Sequence, residues 1–107
     1  MATALKNARV APSAATLTTL YTCPASTTAV VGDLSICNRS ATATTYRIAV
    51  RPLGAAIADD HYLRYDLTID GNSTDTISGI TLIATDVLSV YATLATVSFN
   101  LSLQENS

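Results

Sequence analysis

His61 is the sole histidine of the 107-residue chain, and Asp59 and Asp60 precede it directly. Any imidazole-based catalysis or zinc site would have to be built around this one ring. Zinc takes four ligands, with thiolates or imidazoles at paired spacings of two to four residues, and neither Cys23 nor Cys37 has such a neighbour. A Ser-His-Asp triad meets only in space and leaves no spacing to read. The chain nevertheless has no Gly-x-Ser-x-Gly elbow. His61 is expected as an exposed loop residue at the start of a strand, and no catalytic residue, cofactor or metal ligand is assigned.

Asp70-Gly71-Asn72-Ser73-Thr74-Asp75 places oxygen-bearing side chains at alternate positions, like the opening of a calcium loop. The acidic ligand that should close such a loop would fall near Thr81, which has no carboxylate. A solvated hairpin turn is therefore expected there. Two cysteines do not make a disulfide framework for a domain that can bury its own core, so Cys23 and Cys37 are expected as small buried hydrophobes, with a bridge between neighbouring strands as the alternative. Sequons at Asn38, Asn72 and Asn100 are chance products of a Ser/Thr-rich chain.

The six aromatic residues admit a binding role, because β-sandwich carbohydrate binders stack sugars on exposed rings. Tyr46, Tyr65 and Phe99 fall on the apolar phase of their strands and are assigned to the core. Tyr62 and Tyr91 remain as candidate partner-contact residues on the surface.

These side chains must be positioned by strands. From Thr16 on, β-branched and aromatic residues recur at period two, with breakers every dozen residues or so, and no helical stripe competes. The spacing predicts strands over Thr16 to Tyr21, Ala29 to Asn38, Thr44 to Arg51, Tyr62 to Ile69, Thr76 to Ile83, Val87 to Ala92 and from Val97 to Leu103. Gly32 marks a bulge or a close approach. Pro52 to Asp60 reads as a crossing loop, and Asp70-Gly71-Asn72 as a turn, since these residues tolerate positive φ. Leu63, Tyr65, Leu67 and Ile69 should share one apolar face. About seven such strands cannot bury their apolar sides in one open sheet, so the expected fold is all-β, an antiparallel β-sandwich with a jelly-roll as one form of it.

Residues 1–14 precede this domain (15–107) as an extended N-terminal arm, Ala-rich, without a convincing helix or strand, and carrying Lys6 and Arg9 as candidate partner contacts. The arm lacks the apolar stretch of a secretory signal, and no apolar run approaches the roughly 18 residues of a membrane helix, so no membrane partner is expected. A formal net charge of -2 with six Lys and Arg cannot supply a phosphate-tracking groove, which argues against nucleic acid. Charged residues make up 13% of the chain, about half of the roughly 25% usual for globular domains. Soluble monomers keep apart with dense, mixed-sign charge, so this composition predicts a homo-oligomeric subunit whose surface is largely covered by neighbours.

Several stretches taken together resemble a family of small β-rich virion proteins of tailed bacteriophages. They are Thr19-Leu20-Tyr21-Thr22-Cys23-Pro24-Ala25, Ile36-Cys37-Asn38-Arg39-Ser40, His61-Tyr62-Leu63, the run Gly79 to Ala92, and Val97-Ser98-Phe99-Asn100. The resemblance spans about residues 19 to 103 and transfers no site residues. It implies a non-enzymatic virion component, assembled in the bacterial host cytoplasm, whose partners are other virion proteins, a major capsid protein or tail proteins.

Overall fold

A computed structural model describes residues 3–107, so the first two residues of the expected arm lie outside the described residues. Nine strands form: β1 Thr3–Val10, β2 Thr18–Thr22, β3 Thr28–Asn38, β4 Thr44–Arg51, β5 Tyr62–Ile69, β6 Thr74–Ile77, β7 Thr81–Leu82, β8 Val87–Ala92 and β9 Val97–Asn106. They build two antiparallel sheets. One has the order β1-β9-β3-β6 with β7 also on β3, and the other the order β2-β8-β4-β5. β6 and β7 pair with successive parts of β3 and act as one strand interrupted around Gly79. Counted so, eight strands divide four and four, and most connections cross from one sheet to the other, as in a jelly-roll.

Period-two patterning explains the layers. In β9, Val97, Phe99, Leu101 and Leu103 are buried while Asn100, Ser102 and Gln104 are exposed. They meet Leu34 and Ile36 of β3 on the same sheet and, across the interface, Tyr46, Ile48, Leu88 and Val90, all buried. Phe99 and Tyr46 pack edge to face with ring centroids 6.4 Å apart. Two tyrosines of the second sheet also hydrogen-bond to carboxylates of the first. The Tyr46 hydroxyl donates to Asp75 Oδ2 at 3.0 Å, and the Tyr21 hydroxyl donates to Glu105 Oε2. Burial first, and then the bond to Asp75, push the Tyr46 phenol up to about 12; burial and Glu105 push Tyr21 up as well.

Buried polar side chains hold the corners. Asn38, 1% exposed, donates to the carbonyls of Thr42 and Asp70 and accepts from the Ser40 amide and the Thr96 hydroxyl, so it ties three loops together. Asp86 accepts the Leu53 N–H on one carboxylate oxygen and the Ile83 N–H on the other. The turn after Asp70 is not a hairpin: it carries the chain from β5 in one sheet to β6 in the other. A Cβ at Gly71 would stand 2.1 Å from the Ala41 carbonyl oxygen, so only glycine lets that backbone pass.

Three further expectations are corrected. Within the supposed arm, residues 3–10 form β1, paired along its whole length with β9 from Thr3↔Asn106 to Val10↔Phe99. The signal was missing because Ala8 and Val10 alone pack on the core and the rest of the strand is exposed. The stretch Thr76 to Ile83 is two short strands rather than one. In β5 only Ile69 is buried, while Leu63, Tyr65 and Leu67 are 41%, 58% and 44% exposed. β5 is an edge strand whose register against β4 slips twice, so that Tyr65 and Asp66 together stand opposite Arg47. Asp66 there adopts φ 51, and the alternation of faces breaks. The register shift between Val31 and Asp33, by contrast, lies at Gly32.

Candidate functional site

On the outer face of the β2-β8-β4-β5 sheet, Arg47 of β4 stands directly across from Tyr91 of β8. One row along, Ala49 and Ser89 are buried, and Arg51 donates from Nε to Ser89 Oγ and from Nη1 to the carbonyls of Gly54 and Ala55, binding the β4–β5 connection down. The face is thus covered at one end and open at the other. The bulge in β5 turns Tyr65 onto the open part. There the Arg47 guanidinium carbon lies 4.3 Å from the ring centroid of Tyr65 and 4.3 Å from that of Tyr91.

Arg47 also binds Asp66 with two parallel bonds, Nε to Oδ1 at 2.6 Å and Nη2 to Oδ2 at 3.2 Å. The Arg47 bond holds the Asp66 carboxyl below the usual carboxylate range, and Asp66 in turn raises the guanidinium. Tyr62 extends the cluster, its ring edge to face with Tyr65 at 4.8 Å. Asp59, Tyr62 and Tyr65 line a surface depression.

The result is a row of three phenol rings around a charge-neutralised guanidinium, fixed before any partner arrives. Tyrosine and arginine are the side chains most enriched at protein–protein hot spots, and rigid rings lose little entropy when covered. The chemistry available is stacking and hydrogen bonding.

Of the residues assigned from sequence, Tyr62 and Tyr91 share this face, though Tyr65 and Arg47 bridge them. Lys6 and Arg9 lie on β1 in the other sheet, both exposed and on opposite faces of the strand, opposite Leu103 and Asn100. Tyr65 was assigned to the core and is instead the most exposed tyrosine. Arg47, Tyr65 and Asp66 carried no signal, because a bulge without glycine leaves strict alternation in the sequence.

His61 is engaged locally. Its Nδ1 accepts the Ala58 N–H at 3.1 Å, closing the short 3-10 turn Asp59–His61, and this bond folds the ring in so that its side chain is 11% exposed and not open to solvent as expected. Asp75, within the expected turn, points to Tyr46. Among the described residues no group of three or more His, Cys, Asp or Glu could hold a metal ion. Both cysteines are free: Cys23 is buried, donating to the Thr27 carbonyl at 3.3 Å, and Cys37 is half-buried. Asn38 of the first sequon is buried.

Compared with protein-family models, with curated proteins and with solved structures, the chain finds no match.

Proposed function

We propose that this protein is a non-enzymatic structural subunit of a bacteriophage particle, a cement subunit that decorates and stabilises the capsid lattice. The observation that carries the reading is the preassembled Tyr62–Tyr65–Arg47–Tyr91 row, open on the outer face of a lightly charged sandwich. Such a row supplies the aromatic and arginine anchors that a lattice contact needs at its centre. The surrounding Ser/Thr-rich surface opposes burial with few charges to desolvate. The resemblance of residues 19 to 103 to virion proteins supports the particle. The jelly-roll architecture, used by capsid and lectin domains among others, agrees with it by fold-level analogy alone.

The alternative location is a tail, baseplate or fibre-attachment component. Copy number separates the two: quantitative mass spectrometry of purified particles should find hundreds of copies for a capsid subunit and a handful for a tail component. Absence from the particles would end the virion reading. In a reconstitution on particles lacking the subunit, Tyr65→Ala with Tyr91→Ala should lower occupancy while costing the free protein only about 1 kcal/mol, the scale of its two cation–π contacts, so that it stays folded. Pairing of β1 with β9 modifies the expected role of the arm. Removing residues 3–10 would uncover the β9 edge at Phe99 and Leu101, so β1 is part of the sandwich and not a separable arm.

A host-surface carbohydrate module is the second reading, favoured by the depression that Asp59 lines together with Tyr62 and Tyr65. Glycan-array binding that vanishes with Tyr62→Ala would support it.

A further inference from the structure

One end of the tyrosine row forms a corner. Tyr62 and Tyr65 meet with ring centroids 4.8 Å apart and planes at 80°, so their faces stand as two nearly perpendicular walls. The surface depression that they line has Asp59 as its third lining residue. Each piece is held by the backbone around it. The Ala58 N–H donates to His61 Nδ1 and the His61 N–H donates to the Ala58 carbonyl, which closes the 3-10 turn that sets Asp59 beside Tyr62. The bulge in β5, where Asp66 adopts φ 51, turns Tyr65 onto the same face.

The charges near the corner leave it negative. Arg47 lies over the Tyr65 ring, but its two parallel bonds to Asp66 neutralise it. Arg51 is engaged by Ser89 Oγ and by the carbonyls of Gly54 and Ala55. Arg64 stands across from Ile48, whose side chain is buried, and so lies toward the other side of the sheet. The Asp59 carboxylate, by contrast, has no hydrogen-bond or ion-pair partner among the described residues. Two ring faces carry the negative side of their quadrupoles, and a free carboxylate beside them adds a counter-charge, an environment that favours an organic cation. The shape selects among cations. A flat guanidinium stacks on one ring, as Arg47 does on Tyr65, whereas a compact ammonium touches both walls of a corner. Asp59 selects further, since a primary ammonium brings three N–H donors to it and a quaternary one brings none.

We propose that this corner is a binding site for the ammonium end of a lysine side chain presented by a protein partner. Tyr62 and Tyr65 hold the ammonium and its last methylenes, and Asp59 accepts a hydrogen bond from it. The flexible four-carbon stem of lysine lets its head reach a depression while its backbone stays on the surface. Arg47 and Tyr91 stay available for the rest of the contact. The inference rests on the reading of the tyrosine row as a protein contact, and names what the partner brings to one end of it.

Proton NMR of the full chain, followed at the tyrosine ring resonances, tests it. The probe is Nα-acetyl-lysine methylamide, compared at one ionic strength with its Nε-acetylated form, with tetramethylammonium and with a neutral hexose. The lysine probe should shift the Tyr62 and Tyr65 resonances saturably in the millimolar range, and the Nε-acetylated form, which has lost the charge, should not. Tyr62→Leu keeps apolar bulk without a π face and should weaken binding about three- to thirtyfold. Asp59→Asn should weaken it about two- to fivefold. Circular dichroism melts confirm that both variants fold. Absence of a saturable shift by about 100 mM lysine probe overturns the inference. So does equal binding of the Nε-acetylated form, indifference to either substitution, or tighter binding of tetramethylammonium or of the hexose. Copy number in particles tests the particle reading separately: a chain absent from particles that still binds the lysine probe keeps this site and loses only that reading.

Discussion

Replacing Tyr46 by Phe isolates one bond across the sandwich. The ring keeps its place against Phe99, and only the hydroxyl that donates to Asp75 is lost. A hydrogen bond to a charged acceptor contributes about 1.5–3 kcal/mol. Asp75 is half-buried on a short strand and can take up water when the hydroxyl goes, so the lower end applies, about 1.5 kcal/mol. For a domain of this size that is a melting-temperature drop of roughly 6–12 °C. The pH dependence gives a sharper check. Burial and Asp75 raise the Tyr46 phenol to about 12, so the folded state holds this proton more tightly than the unfolded chain does at about 10. The resulting stability is fully present below pH 10 and is lost as pH rises through 12. Wild type and Tyr46→Phe should therefore converge in alkali, their difference at pH 11 being smaller than at pH 7 by about 1.4 kcal/mol. Guanidinium unfolding of both proteins at a series of pH values measures this. A difference that stays constant from pH 7 to 11 would refute the account of a buried, carboxylate-bonded phenol.

Arg47→Met should release Tyr65 and Tyr91 and lower stability by about 1 kcal/mol, the scale of two exposed cation–π contacts. Because Arg47 depresses the Asp66 carboxyl, its contribution is present above the ordinary aspartate value near 4 and lost as pH falls through the depressed one. Wild type and variant should thus converge in acid, as urea melts from pH 2 to 7 would register. Asp86→Asn leaves one oxygen for two amides, Leu53 and Ile83, and should cost about 1–3 kcal/mol in chemical denaturation. Cys23, fully buried with its thiol pushed up by desolvation, should resist a thiol reagent in the folded protein, and Cys37 should be labelled first. Mass spectrometry of the labelled peptides shows the order.

Much of this fold is written locally. Thr44–Arg51, Tyr62–Ile69 and Val87–Ala92 begin and end where alternation and breakers place them, and β9 runs on three residues past the expected Leu103. Strand β1 escaped because only Ala8 and Val10 of this edge strand pack on the core, which leaves no apolar alternation along it to read. Its order comes from β9, some ninety residues away. The site was half legible. Tyr62 and Tyr91 stood out as tyrosines off the apolar phase, but Tyr65 sat on that phase and was assigned to the core.

By itself, then, the sequence determined that this chain forms strands, that they pair into a sandwich, and that its surface is poor in charge. Each of these is a property of short segments: which side of a strand is apolar, where φ must turn positive, and how many side chains ionise. Only the tertiary structure decided that Arg47 lies between Tyr65 and Tyr91, and that Tyr62 and Tyr65 meet at a corner beside Asp59. Those groupings depend on register between strands far apart in sequence and on a bulge that reverses one side chain, and a slip of a single residue would have turned each to the other face.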